Sequence, residues 1–428
     1  MSQSRRQAAV LGVVVLLALA GRLTAGTTPA RGGKAAAAAA AGSSKVIVTV
    51  LPNNKLKAKC LDGSPPGYYF RRGFGSGLSS WQIHLPPGGW CTSLAACVGR
   101  SGKLLGSSKP EAQKQSPYSN VSNGYMGILS TGPYINRGFR NWNLVIPMYC
   151  DGGGFSGTAG WTRVNGTHGI YLDGWNIINT VLQHVKNARG LASATRVLLS
   201  GESAGAQAVV SLCERMRGYA PNAKTIKCLM DAGFFIDSND RFGTPYFQTV
   251  ANSMVSLHKF VGNSKCAQAY PPKEQWRCFF PQYALPFVPS TIPFFIINSI
   301  FDFRALMLGN QLSVADQTYA VHCITEMLQL LPSLTVQSLI ASSTRQLVMF
   351  LAGRRPGREC TATEQLAVLQ AGQKIATFVQ SAQKRGRKSG AFLVVGMAHC
   401  VVGNPYWNQV KANRVTLADA VNRWYFLS

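Results

Sequence analysis

The sequence predicts an α/β fold with a mainly parallel central sheet flanked by helices. Short apolar runs typical of buried strands alternate along the chain with longer segments that have the composition or spacing of helices. In the middle of the chain, the apolar run 197–199 leads through a glycine-rich turn at 201–205 into an alanine-rich segment predicted to be a helix. With 428 residues, of which 46% are hydrophobic, the chain is long enough for one large domain or two ordinary ones.

Strands are predicted where short apolar or alternating runs end at glycine, proline or a polar turn. In chain order they cover 46–51, a segment reached through the turn at 60–70, 81–85, 142–149, 197–199, 226–236, 293–299 and 392–395. Helices are predicted over 171–187, 204–215 and 245–260, with Asp173 and Pro245 near two of the starts. The span 304–384 is mostly helical in pattern with a break at 354–357, and the polar stretch 99–123 is predicted to be a loop.

The N-terminal residues have the pattern of a secretory signal. Arg5 and Arg6 precede an apolar run over 8–20, which is too short to span a membrane comfortably, and small residues follow around 23–25. We therefore predict a signal peptide over 1–25, a Gly/Ala-rich linker over 26–44 and a folded domain over 45–428. An uncleaved signal anchor is the alternative, and no second segment is apolar enough for a stable membrane span.

The chain is strongly basic, with 43 Lys and Arg against 16 Asp and Glu and a net charge of +27. This charge favours an acidic partner such as polyuronate, nucleic acid or anionic lipid, without selecting one of them. Basic and aromatic residues do not alternate as in a nucleic-acid module, so no nucleic-acid partner is expected. Two basic clusters, at 354–358 and 384–388, are interpreted as solvated loops.

Eleven cysteines fit a secreted protein, because disulfides persist outside the cytosol. Cys-x-x-Cys pairs and Cys/His clusters at zinc spacing are missing from the sequence, so no metal site is predicted. Asn120 and Asn165 begin two Asn-x-Ser/Thr glycosylation acceptors, which are expected on exposed loops.

Ser203 lies at the centre of Gly-Glu-Ser-Ala-Gly, between the predicted strand at 197–199 and the predicted helix at 204–215. Strand, Gly-x-Ser-x-Gly and helix together are the setting of a nucleophile elbow, which exposes a serine hydroxyl on a sharp turn. The alternative is a tight turn without chemistry. An oxyanion hole would need two sources of backbone N–H groups: one from Ala204, the other from a glycine-rich loop such as 87–90, where Gly89 and Trp90 lie.

A serine nucleophile needs a base that takes its proton and a carboxylate that orients the base. His399 follows the last predicted strand and Asp302 follows the buried strand at 293–299, so both are expected at the edge of the sheet where Ser203 lies. The order Ser203, Asp302, His399 is that of α/β-hydrolase sites.

Other interpretations of these residues stay open on spacing alone. A histidine after a strand is often structural, and Asp302 could instead cap a following helix. Asp231 and Asp237 are competing carboxylates. The remaining histidines are interpreted as structural or surface residues: His84, His168, His184, His258 and His322.

Eight stretches in order, from about Cys60 to the end, carry a family resemblance. They are Asp-Gly-Ser-Pro-Pro-Gly-Tyr-Tyr at 62–69, Gly-Gly-Trp-Cys at 88–91, Ile-Pro-Met-Tyr-Cys-Asp-Gly at 146–152, Leu-Leu-Ser-Gly-Glu-Ser-Ala-Gly at 198–205, Asp-Ala-Gly-Phe-Phe-Ile-Asp at 231–237, Cys-Phe-Phe-Pro-Gln at 278–282, Asn-Ser-Ile-Phe-Asp at 298–302 and Ala-His-Cys at 398–400. Together they resemble the pectin acetylesterase/Notum family of secreted carboxylesterases, and more closely its plant branch.

The resemblance implies a single α/β-hydrolase-like domain with Ser203, Asp302 and His399 as a catalytic triad and Gly89, Trp90 and Ala204 as oxyanion donors. It implies a secreted serine carboxylesterase of the extracellular space or cell wall that acts on an acetylated acidic polysaccharide and needs no cofactor. The alternatives are Notum-like removal of a fatty acyl group from a protein, and binding of an anionic glycan without turnover. The resemblance also implies three disulfides: Cys60–Cys150, Cys91–Cys97 and Cys266–Cys278.

Four positions depart from the family pattern. Pro87 and Ala206 stand where the family usually has glycines, and Gly396 stands where the plant branch usually has a cysteine, which leaves the partner of Cys400 unassigned. Glu202 also replaces a usual cysteine of the plant branch. We expect Glu202 to add a negative charge beside the nucleophile.

Overall fold

A computed structural model describes residues 45–119, 126–239, 244–302, 324–325, 334–342, 362–384, 388–412 and 414–428. The predicted signal peptide and linker, the acceptor Asn120, the basic cluster 354–358 and most of the span 304–384 therefore lie outside the described residues. Asn165 is exposed, as expected for a glycosylation acceptor, at the turn of a hairpin.

The centre of the described domain is one eight-stranded sheet with the order β1-β2-β4-β3-β7-β8-β9-β10. From β4 to β10 neighbouring strands are parallel, whereas β2 pairs antiparallel with β4 and β1 antiparallel with β2. The strands are β1 Ile47–Val50, β2 Gly67–Arg71, β3 Ser80–Leu85, β4 Asn143–Pro147, β7 Arg196–Glu202, β8 Thr225–Asp231, β9 Phe294–Ser299 and β10 Gly390–Val394. The predicted mainly parallel sheet in one α/β domain is confirmed.

Two short hairpins lie outside this sheet, and neither was predicted. They are β5 Gly160–Asn165 with β6 His168–Leu172, and β11 Lys411–Ala412 with β12 Val415–Thr416. The helices are α1 Leu94–Arg100, α2 Pro110–Gln113, α3 Gly174–His184, α4 Ala204–Cys213, α5 Met216–Tyr219, α6 Tyr246–His258, α7 Ser264–Ala269, α8 Pro281–Ala284, α9 Val336–Ala341, α10 Ala362–Gln383 and α11 Leu417–Leu427. None of the described helices is both long and apolar enough to cross a membrane.

Helices cover both faces of the sheet, because successive side chains of a strand point to opposite faces. On one face, Val197 and Leu199 of β7 pack in a core with residues of α3 and α4. On the other face, Leu198 of β7 and Leu229 of β8 pack with residues of α11. Both faces are apolar, which explains why the central strands appear in the sequence as continuous apolar runs.

Several predicted element boundaries and one predicted loop differ from the structure. Strand β8 ends at Asp231 rather than at residue 236, because Ala232 has a φ of 53°, which is outside the range of a strand. Helix α4 ends at Cys213, two residues before the predicted end. The predicted loop 99–123 contains the single-turn helix α2, and α1 was missed although Ser93 caps it by accepting from Ala96 N–H at 3.2 Å.

Four disulfides link the described residues. The three that the resemblance implied are formed, and a fourth joins Cys213 at the end of α4 to Cys228 in β8. The fourth bond connects the helix that follows the predicted nucleophile to the neighbouring strand. Cys323 and Cys360 lie outside the described residues.

Candidate active site

The carboxyl ends of four parallel strands meet at one edge of the sheet and carry the predicted site residues. Ser203 directly follows β7, Asp302 follows β9, His399 follows β10, and the loop with Gly89 and Trp90 follows β3. Parallel strands place all of these segments at the same edge. Residues far apart in the sequence therefore come close together here.

Ser203 occupies a strained turn between β7 and α4. Its φ of 53° and ψ of −122° are unusual for a residue with a side chain, and its N–H donates to the Asp231 carbonyl at 2.9 Å. The strand and helix pass very close to each other: a Cβ on Gly201 would lie 2.5 Å from the Gly205 carbonyl oxygen, and one on Gly205 only 2.2 Å from that of Leu85. Both glycines are therefore needed for the turn that presents the Ser203 hydroxyl.

The side chains of Ser203, His399 and Asp302 form a continuous hydrogen-bonded chain. His399 Nε2 lies 2.8 Å from Ser203 Oγ, and His399 Nδ1 lies 2.8 and 2.9 Å from the two oxygens of Asp302. The Asp302 side chain is 1% exposed and that of His399 12% exposed, and Ser203 as a residue is 5% exposed, so all three groups are largely shielded from solvent. This arrangement can transfer a proton from the serine to the histidine.

The two competing carboxylates have other contacts. Asp237 accepts from the Tyr283 hydroxyl at 2.8 Å. Asp231 accepts from the backbone N–H groups of Val401 and Val402 at 2.6 and 2.7 Å. It therefore holds the backbone just after His399 rather than the imidazole itself. Sequence spacing indicated Asp231 as a possible triad member but gave no sign of this positioning contact.

Two side chains that were not identified from the sequence form hydrogen bonds to the backbone of the proposed oxyanion loop. Arg100 donates to the carbonyl oxygens of Gly88 at 2.8 Å and of Trp90 at 3.4 Å, and the Tyr149 hydroxyl donates to that of Gly89. With three successive carbonyl groups fixed, the orientation of the intervening peptide N–H groups is fixed as well. The Tyr149 hydroxyl also accepts from Gly154 N–H at 3.0 Å, and burial raises its pKa, so it remains a donor.

Glu202 is buried beside Asp231 rather than exposed next to the nucleophile. The two residues pair across β7 and β8, and their exposed fractions are 6% and 1%. Burial, and then the carboxylate of Asp231, raise the pKa of Glu202. The basic group of His84 lies 3.9 Å from Glu202, but burial lowers the pKa of His84 to about 3 and leaves that imidazole neutral. The expected negative charge at Glu202 stays a prediction, and burial beside Asp231 opposes it because a buried carboxyl favours its neutral form.

A cluster of aromatic rings lies beside His399. The Phe235 ring lies 6.5 Å from that of His399, and the Trp90 ring packs edge-on against Phe235 and Phe279 at 4.9 and 5.1 Å. Trp90 thus joins the proposed oxyanion loop to the segment after β8. This apolar surrounding lowers the local dielectric constant around the hydrogen-bonded chain.

The other histidines have different surroundings. His258 is buried and bonds to the Cys91 carbonyl at 2.8 Å, His184 bonds to the Tyr68 hydroxyl at 2.9 Å, and His168 is exposed. His322 lies outside the described residues. Cys91, Cys97 and His258 are close enough to share a metal ion, but the two sulfurs are bonded to each other and are not available as thiolates.

Comparison with known proteins assigns the family. A family model described as Pectinacetylesterase matches residues 39–428. Pectin acetylesterase 7 of Arabidopsis thaliana is 38% identical over 250 residues, 57% of this chain and 59% of that protein. Pectin acetylesterase 5 of the same plant is 30% identical over 373 residues, 86% of this chain and 77% of that protein. Human palmitoleoyl-protein carboxylesterase NOTUM is 26% identical over 262 residues, 59% of this chain and 50% of that protein.

The matched region covers less than two thirds of pectin acetylesterase 7, whereas the family model extends over nearly all of this chain. The resemblance found in the sequence is confirmed: this chain belongs to the pectinacetylesterase family.

Proposed function

We propose that this protein is a serine carboxylesterase that hydrolyses O-acetyl esters of a pectin- or homogalacturonan-like acidic polysaccharide and releases acetate. The observation that carries the proposal is the hydrogen-bonded chain from Asp302 through His399 to Ser203, at 2.8 Å to the serine oxygen. Names of relatives support the substrate class, since two of the most similar are pectin acetylesterases.

In the proposed reaction, Ser203 Oγ attacks the acetyl carbonyl carbon while its proton passes to His399 Nε2. Asp302 accepts the hydrogen bond from His399 Nδ1 and stabilises the imidazolium that forms. The negative charge on the tetrahedral oxygen is stabilised by the N–H groups of Gly89, Trp90 and Ala204. The intermediate collapses, the sugar oxygen leaves with the proton from His399, and an acetyl-serine remains.

Water completes the cycle with the same residues. His399 takes a proton from the water molecule, the resulting hydroxide attacks the acetyl-serine carbonyl, and acetate leaves as Ser203 regains its proton. Arg100 and Tyr149 support both halves of the reaction, because they fix the loop that carries two of the oxyanion donors. Each step needs only water and the chain's own groups.

Secretion to the extracellular space or cell wall is part of this proposal. Four disulfides among the described residues support it, because such bonds persist in oxidising compartments. The signal-like N-terminal sequence supports it as well. A polymer in the cell wall would meet the enzyme there, and the net charge of +27 would attract an acidic chain at low ionic strength.

Acetate release from a panel of acetylated polysaccharides tests the proposal, with Ser203→Ala as the control. We expect release from acetylated pectin by the unaltered protein and none by the variant, together with fluorophosphonate labelling that depends on Ser203. Labelling without acetate release from any polymer would refute the proposed substrate class. Absence of both labelling and acetate release would refute the proposed esterase activity.

A Notum-like activity on long acyl chains is the second candidate, because human NOTUM is among the relatives. Rates with p-nitrophenyl acetate and p-nitrophenyl palmitate separate the two. The acetyl ester is expected to react faster. A clear preference for the palmitoyl ester would favour the second candidate.

A further inference from the structure

A basic groove lies at the opposite edge of the sheet from Ser203. It encloses about 490 Å³ and is lined by residues at the start of β7 and β8, before β9 and at the end of α11. Strand β7 runs from Arg196, in the groove, to Glu202, next to Ser203, so the groove and the nucleophile are about 20 Å apart. Ser203, Asp302, His399 and the proposed oxyanion donors do not line it.

Positive charge dominates the groove. Of the residues that line it, five are cationic and one is acidic: Arg196, Arg217, Lys224, Lys227 and Lys388 against Glu214. A carboxylate at Ser428, which also lines the groove, would raise the acidic count only to two. Lys388 is the last residue of the basic cluster 384–388, which was interpreted from the sequence as a solvated loop. At least this residue of the cluster lines the groove.

Lys227 forms the buried part of the groove. Lys227 is only 4% exposed. Its ammonium donates to the Trp424 carbonyl and the Ser428 hydroxyl, both at 2.7 Å, and to the Ser428 carbonyl oxygen at 3.2 Å. Burial, and then the charge of Lys388, lower the pKa of Lys227 to about 8. The positive charge of Lys388 disfavours the charged form of Lys227, so an anion entering the groove would offset this repulsion.

Most of the remaining cations can contact a ligand, whereas Arg217 already donates to the Ala223 carbonyl. Lys224 and Lys388 are exposed, and neither ammonium has a protein partner within the described ranges. Arg196 uses its Nε to donate to Ser80 Oγ at 3.2 Å, which leaves the outer nitrogens of its guanidinium for a carboxylate. Phe426, 40% exposed, adds an apolar surface in the same groove.

We propose that this groove is a second binding site for an acidic polysaccharide, separate from the site of ester hydrolysis. The inference rests on the proposed function, because the polymer is the one proposed as substrate. Carboxylates at regular intervals along a flexible chain match the cations of a concave groove, whereas a flat anionic membrane fits a concave groove poorly. Binding at two sites would raise the effective concentration of the polymer at Ser203.

The test measures binding of a fluorescent, ester-free oligogalacturonide to the Ser203→Ala protein, so that no turnover is involved. Lys224→Glu combined with Lys388→Glu reverses two groove charges. Lys265→Glu combined with Lys273→Glu is the matched control, since both lysines are exposed, lie outside the groove and give the same change in net charge. The groove variant is expected to bind about tenfold more weakly at low salt, and the control within twofold of the parent.

Salt and a milder variant provide a second readout. The difference between groove variant and parent is expected to disappear near 0.5 M salt, and Lys224→Gln with Lys388→Gln is expected to lose about threefold. Equal affinities of groove variant and control would overturn the proposal. The proposal would also be overturned if the groove variant bound the oligogalacturonide as tightly as the parent but bound vesicles of anionic phospholipid more weakly. That result would assign the groove to a membrane surface.

The outcome is separable from that of the esterase proposal. Hydrolysis of p-nitrophenyl acetate, measured with Ser203 intact, should be the same for groove variant and control, because neither changes the triad. If esterase activity is found but the groove variant binds the oligogalacturonide as tightly as the control, only the second binding site is refuted. If no esterase activity is found but the groove variant loses affinity, the second site stands on its own.

Discussion

Glu202 and Asp231 lie directly opposite each other on the adjacent strands β7 and β8, with both carboxyl groups buried. Asp231 accepts from two backbone N–H groups, whereas Glu202 accepts from only one, that of Gly403, and its Oε1 has no hydrogen-bond partner within the described residues. Burial raises the pKa of both carboxyl groups, and hydrogen-bond donors stabilise the ionised form, so the arrangement favours the charge on Asp231 and the proton on Glu202. The pair thereby connects the strand before Ser203 to the segment after His399.

Asp231 is expected to position His399 through the backbone of Val401 and Val402. Asp231→Ala leaves two buried N–H groups without an acceptor, which should lower the free energy of unfolding by about 1–3 kcal/mol and kcat by about 10- to 100-fold. Asp231→Asn keeps an oxygen acceptor and should recover most of both losses. Urea unfolding and p-nitrophenyl acetate kinetics check this; equal kcat for the Ala and Asn variants would contradict a positioning role.

Glu202 should make the protein less stable as pH rises. Its pKa is raised in the folded state above the ordinary value of 4.5, so the folded protein holds a proton that the unfolded chain has already lost. The free energy of unfolding therefore falls as pH increases from about 4.5 towards the raised pKa. Glu202→Gln removes this loss.

Urea unfolding at pH 5 and pH 8 measures the effect. The stability lost between these pH values is expected to be smaller in Glu202→Gln than in the unaltered protein, by an amount of order 1 kcal/mol. Glu214→Gln, at a partly exposed residue, is the control and should follow the unaltered protein. Parallel pH profiles for all three proteins would show that Glu202 is ionised at both pH values.

Asp302 is expected to orient the His399 imidazole. Asp302→Asn should lower kcat by about 10³- to 10⁴-fold, because the amide no longer favours the tautomer with a proton on Nδ1. Asp237→Asn removes the competing carboxylate, which contacts Tyr283 instead, and should leave kcat within about twofold. Rates of acetate release from both variants decide between the two carboxylates, and a larger loss in Asp237→Asn would refute the assignment.

Arg100 and Tyr149 are expected to act on kcat through the Gly88–Trp90 backbone. Removing the donors with Arg100→Ala or Tyr149→Phe should lower kcat by about tenfold and change KM little, because the loop is needed mainly when charge develops on the carbonyl oxygen. Lys103→Ala, an exposed neighbour of Arg100, is the control. A rise in KM with unchanged kcat would instead indicate a role in binding the ground state.

The sequence predicted the strands that carry the site because their signals are local. Apolar runs ending in Ser203, Asp302 and His399 indicated one sheet edge, and the family resemblance singled out Asp302 over Asp231. Arg100 and Tyr149 could not be found in this way, since each acts on a loop that another segment supplies. The burial of Glu202 beside Asp231 could not be predicted either, because it depends on the register between β7 and β8.

The fourth disulfide, Cys213–Cys228, could not be predicted from the sequence either, because it depends on how α4 packs against β8. It closes a loop with a sequence separation of 15, for which chain entropy predicts about 3 kcal/mol of stabilisation. Cys213→Ala with Cys228→Ala should lower the free energy of unfolding by about that amount and leave kcat near its original value, since neither sulfur contacts the triad. Each single substitution already breaks the crosslink, so the double variant should be hardly less stable than either single one. Urea unfolding of the three variants separates the crosslink from packing: additive losses would mean that the buried sulfur atoms stabilise the fold by filling space, and not by joining the helix to the strand.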